Sequence, residues 1–213
     1  MQIDVWSDYS CPRCALGLAR LRVALAGFEH ADEVTVVHRA FELGRHAPAR
    51  VEGTQEERLR RKYGMSPEQV RAGHAHLTAL GAEVGFIFDF EHVRSGSTFD
   101  AHRLMQAVRG TADEHGLAQR LFAAHFSEGR QLSDHAVLGD VARSAGLPEH
   151  ITERVLGGTA YTAELRADEA AAEERDVTGV PYFLIDGAWP IPGAQDVETL
   201  GIVLRRAWSR LGH

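Results

Sequence analysis

The two cysteines of this chain stand two residues apart, and Pro12 directly follows the first of them. A short apolar and β-branched run at residues 3–6 precedes the pair, and a helical pattern of apolar residues at 16–25 follows it. Proline fits the first turn of a helix, where its missing N–H is not needed. The sequence therefore predicts a strand, a turn and a helix, with Cys11 at the helix N-terminus and Cys14 one turn further on.

A thiol reacts with disulfides as the thiolate, and the N-terminus of a helix favours that form. Cys11 is therefore the predicted nucleophile, and Cys14, on the same helix face, is the predicted resolving thiol. A bridge across so short a loop has little structural value. Zinc would need further ligands, and no second Cys-x2-Cys or His-x3–5-His run occurs, so no metal site is predicted.

Three polar residues beside or beyond this motif are further candidates. Asp8 is predicted to hydrogen-bond the turn, and the alternative is a proton acceptor for the second thiol through water. Arg13 is always charged and lies within one turn of Cys11, so we expect its charge to lower the pKa of Cys11 by about one unit at most. His102 is, by its sequence context alone, a residue of a helix surface.

Strand patterns occur in two further places. Residues 34–41 predict a second strand, parallel to the first if the helix connects them. Residues 180–185, the turn Asp186-Gly187 and residues 188–191 predict a hairpin. Pro181 stands at the start of that hairpin, where the residues alone favour an ordinary strand-start proline over a cis bond.

Helix patterns dominate the long middle of the chain, from about residue 44 to residue 156. Ser66-Pro67-Glu68-Gln69 is a capping box with proline at the first helical position. Helices are predicted over residues 98–108, 117–126, 133–145, 148–156 and, at the end of the chain, 196–210. The simplest assembly joins the two ends of the chain into one mixed α/β sheet, with the helical segment inserted between them.

Composition excludes some classes of partner. The formal net charge is -7, and the 23 Lys and Arg are scattered among 30 Asp and Glu, which argues against nucleic acid. No apolar run of membrane-spanning length occurs, and the N-terminus has neither a basic start nor an apolar stretch. We therefore expect a cytoplasmic protein with no membrane partner.

Together the motifs resemble the DsbA-like thioredoxin superfamily, and within it the FrnE-like, two-domain cytoplasmic branch. The likeness covers nearly the whole chain. The matching segments are SDYSCPRC at 7–14, AFEL at 40–43, TFDAHRL at 98–104, FSEG at 126–129, GVPYF at 179–183 and GAQ at 193–195. Members commonly carry Trp where this chain has Arg13, so redox potential and substrate preference do not follow from the resemblance.

The resemblance implies an α/β, thioredoxin-like fold with a large inserted all-helical domain. Residues 1–45 and 157–213 would form the thioredoxin-like domain, and residues 46–156 the insertion. It also implies a cis peptide bond before Pro181, facing the two sulfurs.

The activity implied is that of a protein disulfide oxidoreductase, acting on protein or small-thiol substrates without metal or organic cofactor, and with glutathione as a possible redox partner. The same resemblance places Thr98 and His102 along the active-site groove. They join Val180 and Pro181 as predicted substrate contacts, while Pro12, Arg13 and Asp8 tune the cysteines.

Two alternative functions stay open. The chain also resembles kappa-type glutathione transferases and hydroxychromene carboxylate isomerases, which bind glutathione and usually carry Ser where Cys11 stands. The second alternative is a non-enzymatic module that senses redox state or binds client proteins. The complete dithiol favours disulfide exchange over both.

Overall fold

The strand, turn and helix predicted around the cysteines form the N-terminus of the fold. In the computed structural model, which describes residues 1–111 and 114–212, β1 covers Gln2–Ser7 and α1 covers Pro12–Ala26. β2, Thr35–Ala40, runs parallel to β1, as a βαβ unit requires. Residues 112, 113 and 213, which belong to the predicted domain segments, lie outside the described part.

The sheet joins the two ends of the chain. Its strand order is β2-β1-β3-β4 over the described residues, where β3 is Tyr182–Ile185 and β4 is Trp189–Pro192. β3 is antiparallel to both β1 and β4. The turn between β3 and β4 has positive φ at both Asp186 and Gly187, 44° and 70°, as a tight hairpin requires. The predicted hairpin is therefore confirmed, and β1 is a central strand.

The described part of residues 46–156 contains helices and no strand. They are α2 Gln55–Tyr63, α3 Pro67–Glu83, α4 Phe99–Val108, α5 Glu114–Phe126, α6 His135–Ser144 and α7 Glu149–Leu156. The capping box at Ser66 is confirmed. α2 was not predicted, although it also starts with a capping box, between Thr54 and Glu57.

Two helices complete the fold on the C-terminal side. α8 is Thr162–Glu173, and α9, Val197–Leu211, begins where the Asp196 side chain accepts a hydrogen bond from the Thr199 N–H at 2.8 Å. Of the helices in the described ranges, none combines the length and the apolar character that crossing a bilayer demands.

The inserted helices and the sheet share one hydrophobic core. Val5 and Leu16, from β1 and α1, belong to the same buried cluster as Leu104 and Leu121, from α4 and α5. The division into domains at residues 45/46 and 156/157 therefore stays a prediction, because the segments on either side of these boundaries pack into the same core.

A buried carboxylate also connects the insertion to the sheet. Asp168 on α8 accepts hydrogen bonds from the Ala40 N–H at 2.9 Å, from Gln106 Nε2 on α4 at 2.7 Å and from Arg39 Nη1 at 3.3 Å, and it pairs with Arg109. Several donors around one buried acid satisfy its charge. The position of α4 relative to β2 is thereby fixed by polar contacts as well as by the core.

Candidate active site

The two cysteines occupy different environments at the start of α1. Cys11 is the N-cap residue, and its carbonyl accepts hydrogen bonds from the N–H groups of Cys14 and Ala15 at 3.0 and 3.2 Å. Both cysteines are free thiols. Cys11 is 7% exposed and Cys14 is fully enclosed, so a substrate reaches Cys11 first.

Electrostatics separates the two thiols further. A hydrogen bond from the Cys14 thiol lowers the pKa of Cys11; burial opposes this, and the backbone N–H groups of Cys14 and Arg13 lower it further. Burial raises the pKa of Cys14 well above its ordinary value, and the hydrogen bond to Cys11 adds to the rise. The arrangement favours a thiolate at Cys11 and a protonated thiol at Cys14.

Arg13 contributes through its backbone. Its side chain is exposed. The Arg13 N–H is one of the main influences on the pKa of Cys11, and the guanidinium charge is not. Water and salt screen an exposed charge, whereas the main-chain N–H belongs to the helix start that carries the sulfur. The effect predicted for the Arg13 charge is therefore secondary to that of the main chain.

Asp8 holds the turn and its surroundings. Its Oδ1 accepts hydrogen bonds from Ser10 N at 2.9 Å, Ser10 Oγ at 3.1 Å and Thr98 Oγ1 at 3.0 Å, while Oδ2 accepts from Leu43 N at 2.6 Å. The predicted turn role is confirmed, since both oxygens of this buried carboxylate have donors. Thr98 lines the site, but its hydroxyl is directed to Asp8.

The loop before β3 faces the cysteines. The Val180–Pro181 peptide bond is cis, as the resemblance implies. Cys11 Sγ donates to the Val180 carbonyl at a distance of 3.7 Å. α1 approaches closely here, because a Cβ on Gly17 would lie 2.9 Å from Pro181 Cγ.

His102 lies on the inward face of α4. It is 2% exposed, and its ring packs against Tyr9 with the two ring centroids 4.9 Å apart. Burial lowers the pKa of His102, and its Nε2 has no hydrogen-bond partner within the described ranges. The surface position suggested by its sequence context is wrong, because the helix turns this residue into the core. Enclosure also leaves His102 out of the groove beside Cys11, so the predicted contact with substrate is not available in this arrangement.

A groove of about 470 Å³ opens beside Cys11. The cysteine turn forms one wall, and α2, α3 and the segment after β2 form the others. Its lining includes Ser10, Cys11, Pro12, Arg13, Leu43, Gln55, Arg58, Lys62, Tyr63, Val70, His74 and Thr98. The residues from α2 were missed from sequence, and the Thr54 to Glu57 capping box was the signal that could have found them.

A second cavity, of about 420 Å³, lies against another face of α1. Ala15, Leu18, His38 and His115 are among its lining residues, and neither cysteine is. The groove beside Cys11 is therefore the space in which a substrate can meet a thiol.

A thioredoxin-type sheet with two free thiols at the start of α1, facing a cis-proline loop, defines a dithiol protein of the thioredoxin class. The chain belongs to the DSBA-like thioredoxin domain family, which matches residues 2–204. The predicted superfamily and the thioredoxin-like fold class are thus confirmed, while the FrnE-like branch stays a prediction.

Individual relatives agree with this assignment. The chain is 28% identical over 196 residues to the uncharacterized protein YwbO of Bacillus subtilis (strain 168), covering 91% of this chain and 90% of that protein. The crystal structure of a probable DsbA oxidoreductase from Streptomyces coelicolor matches with a TM-score of 0.93 and 37% identity, covering 98% of this chain and 90% of that one. The cytosolic disulfide reductase DsbM from Pseudomonas aeruginosa, solved with GSH, shares the fold, with a TM-score of 0.66, 16% identity and coverage of 98% and 100%.

Proposed function

We propose that this protein is a thiol–disulfide oxidoreductase that exchanges disulfides with protein or small-thiol substrates through Cys11 and Cys14. The observation that carries the proposal is the asymmetry of the pair. Cys11 borders the groove and has a lowered pKa, whereas Cys14 is enclosed and has a raised one. A dithiol exchange mechanism uses this order, a reactive outer thiolate and an inner thiol that acts second.

In the reducing direction, the Cys11 thiolate attacks a substrate disulfide R–S–S–R′. A bond forms between Cys11 Sγ and R–S, and R′–S⁻ leaves and takes a proton from water. Cys14 then attacks Cys11 Sγ, its proton passes to the departing R–S⁻, and a Cys11–Cys14 disulfide remains. The substrate has gained two electrons, and the same steps in reverse oxidise a dithiol.

The Val180 carbonyl is placed to respond to the state of Cys11. It accepts the Cys11 thiol at 3.7 Å, and that donor is lost when Cys11 becomes a thiolate or a mixed disulfide. A carbonyl freed in this way can accept an N–H from an extended substrate segment, in the manner of strand addition. Val180 and Pro181 would then hold the substrate main chain beside the reacting sulfur.

We further propose glutathione as a redox partner and the cytoplasm as the site of action. The family relationship supports a thiol partner, and the DsbM structure with GSH offers a precedent in a related fold. The chemistry itself requires only the two thiols of this chain and those of its partners.

Covalent trapping tests the assignment of roles. A disulfide-containing protein such as insulin is incubated with Cys14→Ser and Cys11→Ser variants, and adducts are mapped by mass spectrometry. Cys14→Ser should accumulate mixed disulfides at Cys11, because the second attack is removed, whereas Cys11→Ser should accumulate few. Adducts in equal amount at both positions would contradict the proposed order.

Turnover measurements separate the alternatives. The wild-type protein should catalyse insulin reduction by dithiothreitol, and Cys14→Ser should not. Glutathione-dependent isomerase or transferase activity that survives in Cys14→Ser would instead favour the kappa-type function. Reversible oxidation without any turnover would favour a redox-sensing module.

A further inference from the structure

We propose that the groove beside Cys11 selects thiols that carry a carboxylate, and that Arg58 on α2 determines this selectivity. The inference rests on the proposed function, because it names the substrate class of the same site. It assigns a role in recognition to a helix of the insertion that contributes nothing to the thiol chemistry itself.

Charge in the groove is the first argument. Three cations, Arg13, Arg58 and Lys62, line it, and its one acidic lining residue is Asp8. Asp8 is buried and already accepts four hydrogen bonds, so it offers no oxygen to a ligand. The whole chain has a formal net charge of -7, so the groove is locally basic on a protein that is acidic overall.

The state of Arg58 is the second argument. Its side chain is half-buried, and within the described ranges its guanidinium makes no hydrogen bond or ion pair, although it interacts at longer range with the charges of Asp8 and Arg61. By contrast, Arg71 on α3 pairs with Glu68 at 3.1 Å. A partly desolvated guanidinium with free donors matches a carboxylate, which it can bind in a bidentate manner.

Other lining groups suit a peptide-like thiol. Gln55 is 4% exposed, and its Oε1 has no hydrogen-bond partner in the described part of the chain, so it can accept an amide N–H. Leu43 and Tyr63 are 44% and 60% exposed and offer apolar contacts at the groove. One groove thus combines a reactive sulfur, a carboxylate receptor, an amide acceptor and an apolar rim.

Matched peptide disulfides test the inference. Three short cysteine peptides with blocked N-termini are compared: the first ends in a free carboxylate, the second has the same sequence and ends in an amide, and the third also ends in an amide but has a Glu beside the cysteine. Reduction of each is followed with wild type, Arg58→Gln, Arg58→Lys and the control Arg61→Gln. Arg61 is an exposed cation on the same helix that does not line the groove, so its removal changes the net charge equally.

Wild type and Arg61→Gln should prefer a carboxylate peptide over the amide peptide by about tenfold in kcat/KM. Arg58→Gln should abolish the preference, and Arg58→Lys should restore part of it. The preference should also weaken at high salt. Preference for the first peptide identifies small acidic thiols as the source of the carboxylate, and preference for the third identifies acidic protein segments.

Equal turnover of all three peptides by wild type, or a preference that survives in Arg58→Gln, would overturn the inference and leave the proposed function intact. Absence of turnover with every peptide, including the neutral one, would instead contradict the proposed function. The two failures are therefore distinguishable within one set of measurements.

Discussion

The Cys14 thiol changes the pKa of Cys11 more strongly than any charged side chain does. The hydrogen bond that it donates is the largest influence on the pKa of Cys11, ahead of the opposing effect of burial. The buried thiol therefore does two things: it stabilises the thiolate before reaction, and it attacks the mixed disulfide afterwards. A substitution can separate the two, because serine retains a donor but is not a competent nucleophile here.

We accordingly predict that Cys11 in Cys14→Ser keeps a pKa below that of a free cysteine, about 8.5, and that Cys14→Ala raises it. Arg13→Trp should shift the pKa by less than Cys14→Ala does, because tryptophan at position 13 supplies the same backbone N–H. Iodoacetamide alkylation of Cys11 against pH measures all three variants. A larger shift in Arg13→Trp than in Cys14→Ala would show that charge, and not hydrogen bonding, controls the thiolate.

Asp8 offers a second test at the residue scale. Its negative charge raises the pKa of both Cys11 and Cys14, and its oxygens hold Ser10, Leu43 and Thr98 in place. Asp8→Asn should therefore lower the pKa of Cys11 further while decreasing stability by about 1–3 kcal/mol, because an amide cannot accept all four hydrogen bonds.

Alkylation against pH and urea unfolding measure the two effects of Asp8→Asn. The rate at which Cys14 resolves a mixed disulfide separates the two roles of Asp8, and it should not fall, because the negative charge raises the pKa of Cys14. A large loss of that rate in protein that remains folded would favour Asp8 as a proton acceptor, which is the alternative role considered from the sequence.

At the scale of elements, α1 has to pack closely on the loop before β3. Gly17 provides the necessary space, since a Cβ there would lie 2.9 Å from Pro181 Cγ and 3.4 Å from both Ala194 Cβ and Phe183 Cζ. Gly139 in α6 provides a matched comparison, because a Cβ there would meet no atom within 4 Å.

Gly139→Ala should stabilise the protein by up to about 1 kcal/mol, which is the helix propensity gained. Gly17→Ala has the same intrinsic gain, but overpacking of about 1–3 kcal/mol opposes it, and Pro181 must move relative to Cys11. We expect reduced disulfide turnover in Gly17→Ala and none of this effect in Gly139→Ala. Urea unfolding and insulin reduction measure both, and unimpaired turnover in Gly17→Ala would mean that the loop accommodates the methyl group.

Local sequence signals were sufficient for the elements that carry the cysteines. Pro12 after a β-branched run marks the start of α1, and Asp186-Gly187 supplies the positive φ values of the hairpin turn. α2 was missed because its sequence, QEERLRRKY, has almost no apolar residues with which to show a helical period. Its capping box was the only strong local signal.

Contacts between distant residues could not be read from the sequence. Asp8 binds Leu43 and Thr98, which are 35 and 90 residues away, so local patterns could identify its turn role but not its partners. The same limit explains His102. A helical pattern alone does not tell which face of α4 meets Tyr9, and that contact decides whether the imidazole is exposed or enclosed. The groove depends on α2 and therefore also lay beyond reach.

At the scale of the whole molecule, the interior contains histidines that stay neutral. Burial lowers the pKa of His38 to about 3 and that of His125 to about 4. Neither ring nitrogen of His38 has a hydrogen-bond partner among the described residues, although its backbone N–H donates to Glu114 Oε1 at 2.7 Å and its carbonyl accepts from Arg109 Nη2 at 3.0 Å. Its side chain can therefore be changed while these backbone contacts remain.

The sign of the pH dependence follows from these values. Well above the ordinary histidine pKa of about 6.5, both rings are neutral in the folded and unfolded chain, and stability is fully present. As the pH falls, the unfolded chain takes up protons that the folded protein excludes, until the pKa of His125 at about 4 and that of His38 at about 3 are reached. The free energy of unfolding should thus fall by on the order of 1 kcal/mol per pH unit for each histidine.

His38→Leu tests this account. Leucine fills similar space beside the 420 Å³ cavity and binds no proton. Between pH 6.5 and pH 4, the free energy of unfolding should therefore fall less steeply with pH than in wild type, by the slope that uptake of about one proton on unfolding produces. The control is His150→Gln, which removes an exposed histidine in place of a buried one. Urea unfolding at pH 6.5, 5.5 and 4.5, with both cysteines reduced, gives the slope for each of the three proteins. An identical slope in wild type and His38→Leu would mean that the folded protein admits a proton to His38, and that the neutral interior histidine is not a source of acid sensitivity.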